Sequence, residues 1–88
     1  MTPTVGRIVH YRVAENVVRP AIIVHVWTAE TYPDGETVQI QVILDGTNDR
    51  HIDGKPFTLE ECERGMAWRT SVHRGPEVGK WDWPPRTN

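Results

Sequence analysis

The sequence predicts a small all-β domain: an antiparallel barrel or sandwich, SH3-like or OB-like, with about five strands and a short helical insertion. Short segments rich in β-branched and aromatic residues recur along the 88 residues, and Gly, Pro, Asn and Asp clusters separate them. A chain of this length is typical of one domain. We therefore expect a single β-rich domain over residues 1–88, with a loop and short-helix insertion at 51–65 and a tail at 84–88.

Alternation of apolar and polar residues predicts the first and third strands, over 6–13 and 37–44, each with one buried face. The segment 20–27 is nearly continuously apolar and too short for a long helix. This pattern predicts a central strand covered on both faces, with Pro20 at its entry, where a proline is tolerated.

The remaining strands are predicted at 66–72 and 80–83. Alternation in the last strand places Trp81 and Trp83 on one face. In the fourth strand, the residues expected to share a face are Trp68, Thr70 and Val72.

The insertion carries the signals of a short helix. Thr58 is followed three residues later by Glu61, the spacing of a capping box, and Gly65 is placed to end the helix. About two turns are the most that fit, so tertiary contacts must hold this helix.

Composition and charge exclude several classes of protein. The net charge is −2, which argues against strong binding to a nucleic-acid backbone. No apolar run approaches the roughly 20 residues that span a bilayer, so no membrane association is expected. Cys62 is the only cysteine, and carboxylates flank it, which disfavours a reactive thiolate. We assemble no catalytic group, cofactor site or metal site from the sequence, and expect a protein that is not an enzyme.

The four tryptophans are the most informative residues. Trp27 and Trp68 lie in apolar segments and are expected to fill the core of a small barrel. Trp81 and Trp83 flank Asp82 next to two prolines, and two interpretations remain open for them. They either complete the core, or they stack on a ligand ring or pack in a subunit interface.

Polar residues complete the candidate ligand site. Arg19 and Arg69 are candidate contacts for phosphate or carboxylate groups, since guanidinium groups bind these anions in a bidentate manner. Asp45, Asn48 and Asp49 form a polar cluster where the third strand ends. This cluster is either a turn that bonds its own backbone or the rim of a ligand site.

Five segments together resemble a family of small proteins encoded by tailed bacteriophages and prophages. They are GRIVHY at 6–11, RPAIIV at 19–24, QVILDGTND at 41–49, WRTSV at 68–72 and WDWP at 81–84. The resemblance covers most of the chain apart from 51–64. It implies a phage protein that acts in the cytoplasm of the host bacterium or, alternatively, in the virion, and it carries over no functional residue.

Two functions are compatible with these observations. The first is a non-enzymatic module that captures a small nucleotide-like molecule, such as a signal of host defence, with Trp81 and Trp83 as stacking surfaces. Such a module is expected to be a homo-oligomer, because a small chain gains a deep pocket at a subunit boundary. The second is a structural or protein-interaction component of the virion, in which the same tryptophans bury in subunit contacts.

Overall fold

The first four strands pair with their neighbours in sequence, and all five strands form a single antiparallel sheet. A computed structural model describes residues 2–45 and 57–85. The elements are β1 (Ile8–Ala14), β2 (Val17–Val26), β3 (Val38–Ile43), α1 (Leu59–Arg64), β4 (Met66–Val72) and β5 (Trp81–Asp82). The strand order is β4-β3-β2-β1-β5, so the last strand returns to the free edge of the first. The predicted all-β class, with five strands and one short helix, is confirmed.

The sheet curls but does not close into a continuous barrel among the described residues. One isolated parallel bridge, between Arg74 and Trp81, joins the segment after β4 to β5. Trp81 N donates to His73 O at 3.1 Å, and Gly75 N donates to Trp81 O at 3.0 Å. The two ends of the sheet therefore meet over a few residues only.

The concave face of the sheet carries the hydrophobic core. The alternation that predicted β1 and β3 is confirmed, since their alternate residues are buried. The helix and the segment before it add Cys62 and Phe57 to this core. The largest fully buried side chain is that of Trp81, which has no exposed surface.

Strand β2 departs from its prediction in two ways. It lies inside the sheet, but it is covered on one face only: Ala21 and Ile23 are buried, whereas Ile22 and Val24 are exposed. The continuous apolar run is therefore not a strand covered on both faces. Pro20 lies within the strand and not at its entry; it pairs with His10 of β1, and the pairing with β3 starts only at Ala21. A proline is tolerated there because no β3 residue pairs with it.

A β-bulge changes the faces of β4. Between the pairs Val38–Val72 and Ile40–Arg69, β4 has one residue more than β3. Ser71 within this bulge has φ of 52°, the left-handed region. Val72 is consequently buried while Trp68 is 49% exposed, so the prediction that these two share a face is wrong. The expectation that Trp68 fills the core is wrong for the same reason.

The short helix begins and ends as predicted. Thr58 is the N-cap: its hydroxyl accepts from Glu61 N at 3.0 Å, and Glu61 Oε1 accepts from Thr58 N at 3.0 Å. Gly65 ends the helix in the left-handed conformation with φ of 75°, which glycine adopts without steric cost.

Candidate functional site

A pocket of about 250 Å³ opens beside the edge of the sheet where β1 pairs with β5. Its wall is formed by outward-facing residues of β1, by the start of β2, by the segment after β4 and by the end of β5. The described lining residues are His10, Arg12, Val18, Gly75, Lys80, Asp82, Trp83 and Pro85.

Two cationic side chains lie next to each other in this wall because their backbones are bonded. Arg12 N donates to Lys80 O at 3.0 Å, and Gly79 N donates to Arg12 O at 2.9 Å. The Arg12 guanidinium is anchored by donation to Glu15 O at 2.7 Å, and Lys80 Nζ lies 3.5 Å from a carboxylate oxygen of Glu77. Two like charges side by side favour the binding of an anion between them.

The carboxylate in the wall is paired with an arginine that it shares with a second carboxylate. Oδ1 of Asp82 accepts from Arg74 Nε at 3.0 Å and from Trp83 N at 2.8 Å. Arg74 also donates to Oε2 of Glu36 at 2.7 Å, and these two carboxylates raise the pKa of the Arg74 guanidinium. Of the described lining residues with a full charge, Arg12 and Lys80 are positive and Asp82 is negative. The lining itself therefore has an excess of positive charge, although Lys80 is paired with Glu77 and Asp82 with Arg74.

Trp83 supplies the aromatic part of the wall. Its ring packs edge-to-face against Trp81 at 5.1 Å between centroids, and the Arg7 guanidinium lies 5.5 Å from the ring centre of Trp83. Its Nε1 atom is buried and has no hydrogen-bond partner among the described residues. A buried indole N–H without a partner costs free energy, and a ligand acceptor or a water that reached it would recover that cost.

The structure brings few of the predicted site residues together. Trp83 lines the pocket, and Trp81 packs directly behind it. Trp81 has no exposed surface, and its Nε1 donates to Glu36 O at 2.7 Å. In this arrangement its indole completes the core and offers no face to a ligand, so of the two tryptophans only Trp83 is placed for stacking.

The two predicted arginines lie elsewhere. Arg69 Nη1 donates to Oε2 of Glu61 at 3.0 Å, and its guanidinium lies 4.7 Å from the ring centre of Phe57. Arg69 thus joins β4 to the helix side of the core. Arg19 donates to the carbonyl of the adjacent Val18 at 3.1 Å and does not line the pocket.

The predicted polar cluster is only partly visible. Asp45 is exposed after the end of β3 and is not a lining residue of the pocket. Asn48 and Asp49 lie outside the described residues, as does the part of the predicted insertion at 51–56.

The sequence analysis did not assign the polar residues to a pocket, although the alternation within the strands indicates which of them face outward. His10 and Arg12 alternate with the buried Val9, Tyr11 and Val13 of β1, and Lys80 and Asp82 flank the buried Trp81. Side chains that alternate with a buried set must face the opposite side of the sheet. The sequence did not predict that β1 pairs with β5. This pairing makes the outward residues of β1 neighbours of the outward residues of β5.

A second polar cluster ties the loop between β2 and β3 to the segment around β4. The buried hydroxyl of Thr37 lies 2.9 Å from Nδ1 of His73 and donates to the carboxylate of Asp34 at 3.1 Å. Thr37 has one hydroxyl proton, so when it donates to Asp34 the His73 Nδ1 must carry a proton. Tyr32 donates to Ser71 Oγ at 3.2 Å nearby.

No family model, curated protein or solved structure matches the chain. Within 2–45 and 57–85, no three His, Cys, Asp or Glu side chains gather into a group that could hold a metal ion. The same residues include no helix with the length and apolar character that crossing a membrane requires.

Proposed function

We propose that this protein is a non-enzymatic binding module that holds a small anionic molecule bearing a planar ring, of which a nucleotide is the simplest example. The observation that carries the proposal is the pair Arg12 and Lys80, held together by their backbones in the wall of one pocket with Trp83. The two cations suit a phosphate or carboxylate group, and the indole suits a ring.

The size of the pocket limits the ligand. Sites for drug-sized molecules have volumes of roughly 300–1,000 Å³, whereas this pocket has about 250 Å³. It therefore accommodates one base or one phosphorylated group of a ligand, and a larger ligand would extend beyond it.

The biological setting is part of the proposal. The resemblance to small phage and prophage proteins supports a role in the cytoplasm of a host bacterium, where capture of a nucleotide signal would blunt a defence response. Such a role needs binding and no bond-making step, and it is compatible with a homo-oligomer that presents one pocket per subunit.

A thermal-shift panel tests the proposal and separates the contribution of the ligand ring from that of the ligand charge. We would compare a nucleoside, inorganic pyrophosphate, mononucleotides and cyclic dinucleotides. A nucleotide should raise the melting temperature saturably by several degrees, since a ligand at 100 times its Kd stabilises by about 2.7 kcal/mol. The nucleoside and pyrophosphate alone should give smaller shifts.

Matched variants locate the binding. Lys80→Gln and Trp83→Ala should remove the shift, whereas Arg64→Gln should leave it unchanged, because Arg64 is a cation on α1 paired with Glu60 away from the pocket. Absence of a shift across the whole panel, or an equal loss in Arg64→Gln, would contradict the proposal.

A structural or protein-interaction component of the virion is the second candidate. The exposed apolar residues on the outer face of the sheet, including Ile8 and Trp68, favour it, because exposed apolar patches mark interaction sites. Mass spectrometry of purified particles decides this: a stoichiometric component must be found there, and its absence removes the candidate.

A further inference from the structure

The pairing of β1 with β5 places four outward side chains in two neighbouring rows of the pocket wall. His10 of β1 pairs with Asp82 of β5. Two residues further along β1, Arg12 N donates to Lys80 O at 3.0 Å. The residues between these two rows are buried in the core, so the four side chains of the rows point outward together. All four line the pocket.

The spacing of the sheet puts these side chains within reach of one ligand group. Opposite residues of antiparallel strands have Cβ atoms about 4.5–5.5 Å apart, and residues two positions apart on one strand are separated by about 7 Å. The side chains of Arg12 and Lys80 are long enough to cover the distance between the rows. An anionic group in the pocket therefore meets both of them and the ring of His10.

His10 differs from the other three residues in having no protein partner. Its side chain is half-buried, and neither ring nitrogen has a hydrogen-bond or ion-pair partner within residues 2–45 and 57–85. By contrast, Arg12, Lys80 and Asp82 each have a partner in the protein. A half-buried imidazole without a partner in the wall of a pocket is placed to bond with what enters the pocket.

We propose that His10 binds the anionic group of the ligand as an imidazolium, so that one proton is taken up from the solvent with each ligand bound. Histidine is the side chain whose charge changes between about pH 5 and pH 8, and a neighbouring negative charge favours its charged form. With Arg12 and Lys80 it makes three cations in one wall, which suit a ligand with two adjacent phosphate charges, such as a pyrophosphate linkage. The inference rests on the proposed function and adds to it the proton and the charge class of the ligand.

Two cationic side chains lie next to the His10 ring in the pocket wall. Arg12 on the same strand and Lys80 before β5 both oppose a proton on the imidazole, because like charges repel. Glu77 offsets part of the charge of Lys80. A ligand anion among these groups removes the opposition, and its own charge favours the protonated ring. The protonated fraction of His10 therefore rises when the ligand binds.

The other described elements around His10 add little charge. Asp82 of β5 favours the protonated ring, but it is already paired with Arg74. In β2, the residues opposite the outward face of β1 at this point are Pro20 and Val18, which carry no charge. The ligand is therefore the largest change in the electrostatic surroundings of His10, and proton uptake depends on ligand binding.

Calorimetric titration with diadenosine pyrophosphate tests the inference. The two phosphates of this probe keep one negative charge each over the range in which histidine titrates, so a change in affinity with pH comes from the protein. Affinity should rise about tenfold from about pH 8.5 to about pH 5.5, the effect of one opposite charge within about 4–6 Å of an imidazole. Titrations in buffers of different ionisation enthalpy should show proton uptake near about pH 6.5. Cyclic AMP, with one negative charge, should gain less affinity as the pH falls.

Variants at position 10 separate the charge of the side chain from its shape. His10→Gln should bind the probe with an affinity that no longer changes with pH and should take up no proton. His10→Lys carries a constant charge and should bind equally well at both ends of the range. His25→Gln is the matched control, because His25 packs against Trp27 and lies outside the lining of the pocket. This variant should bind as the wild type does.

Failure of this inference differs from failure of the proposed function. Wild-type affinity that does not change with pH, or a pH dependence that persists in His10→Gln, overturns the role of His10 and leaves nucleotide binding intact. Absence of binding at every pH overturns both. In NMR spectra, the pH at which His10 is half-protonated should rise on saturation with the probe, while that of His25 stays the same. A value for His10 that does not move equally overturns the inference.

Discussion

The phenol of Tyr32 donates a hydrogen bond to Ser71 Oγ at 3.2 Å, which fastens the loop between β2 and β3 to the bulge in β4. Ser71 is held in the left-handed region with φ of 52°, where a residue with a Cβ atom is disfavoured by about 1–2 kcal/mol. At this position the hydrogen bond therefore stabilises the fold, whereas the backbone strain destabilises it.

Substitution at Ser71 should separate these two effects. Ser71→Ala loses the hydrogen bond and keeps the strain, so we expect a loss of about 0.5–1.5 kcal/mol in unfolding free energy. Ser71→Gly loses the bond but relieves the strain, and should be more stable than Ser71→Ala. Urea unfolding measures both, with Tyr32→Phe as a control that removes the bond alone. Equal stability of the alanine and glycine variants would show that the strain is negligible.

Asp34 should make stability depend on pH. Its carboxylate accepts from Glu36 N at 2.8 Å, and this bond, helped by Thr37 and His73, lowers the pKa of Asp34. A carboxyl whose pKa is lower in the folded state stabilises the fold above its unfolded pKa of about 3.9. That contribution is lost as the pH falls through the lower, folded value.

Thermal unfolding from about pH 7 to pH 2 checks this dependence. The melting temperature of Asp34→Asn should lie below that of the wild type near neutral pH, and the two should converge in acid. A constant difference at every pH would contradict the assignment to this carboxylate.

The two neighbouring tryptophans should respond differently to truncation. Trp81→Ala leaves a cavity in the core and an unpaired Glu36 carbonyl, so it should cost about 3–5 kcal/mol and is unsuitable as a probe of ligand binding. Trp83→Ala should unfold at higher urea concentration than Trp81→Ala and lose the ligand-induced shift. If Trp81→Ala were as stable as the wild type, the core role of this residue would be refuted.

Gly75 should control the position of Lys80 in the pocket. A Cβ atom at Gly75 would lie 2.7 Å from Cδ of Lys80 and 2.5 Å from Oε2 of Glu77, so both side chains must move. We expect Gly75→Ala to weaken nucleotide binding several-fold in calorimetric titration, with little change in melting temperature because only flexible side chains shift. Unchanged affinity would show that Lys80 does not contact the ligand.

Arg74 should affect binding without lining the pocket. It forms an ion pair with Asp82, which does line it. Arg74→Gln leaves this carboxylate without its cation and adds negative charge to the wall, so affinity for an anion should fall several-fold, and the loss should shrink at high salt. The double variant Arg74→Gln with Asp82→Asn should restore binding, and failure to do so would contradict an electrostatic role.

Local patterns predicted the elements well, and they failed where strands are irregular. Two kinds of signal gave correct elements: the alternation in β1 and β3, and the capping box of Thr58 and Glu61. Both depend on residues that are close in sequence. The face of Trp68 was predicted wrongly because the bulge at Ser71 shifts the alternation by one residue, and no glycine marks that position.

The candidate site was less predictable than the fold. Trp83 was identified from its aromatic character and its place beside Asp82 and the prolines, whereas the pairing of β1 with β5 was needed to bring Arg12 and Lys80 together in one wall. Arg69 was a reasonable choice by residue type, but its guanidinium is used between Glu61 and Phe57. Which arginine is free to bind an anion depends on tertiary contacts that spacing does not encode.

The pairing of Tyr11 with Trp81 has a kinetic consequence. Two residues separate β1 from β2 and 11 separate β2 from β3, whereas 66 residues separate β1 from its other partner, β5. Loop closure becomes entropically more costly with length, and folding slows as pairings become less local. The first strands should therefore assemble early, and the docking of Trp81 into the core should be the late step that determines how fast the native state forms.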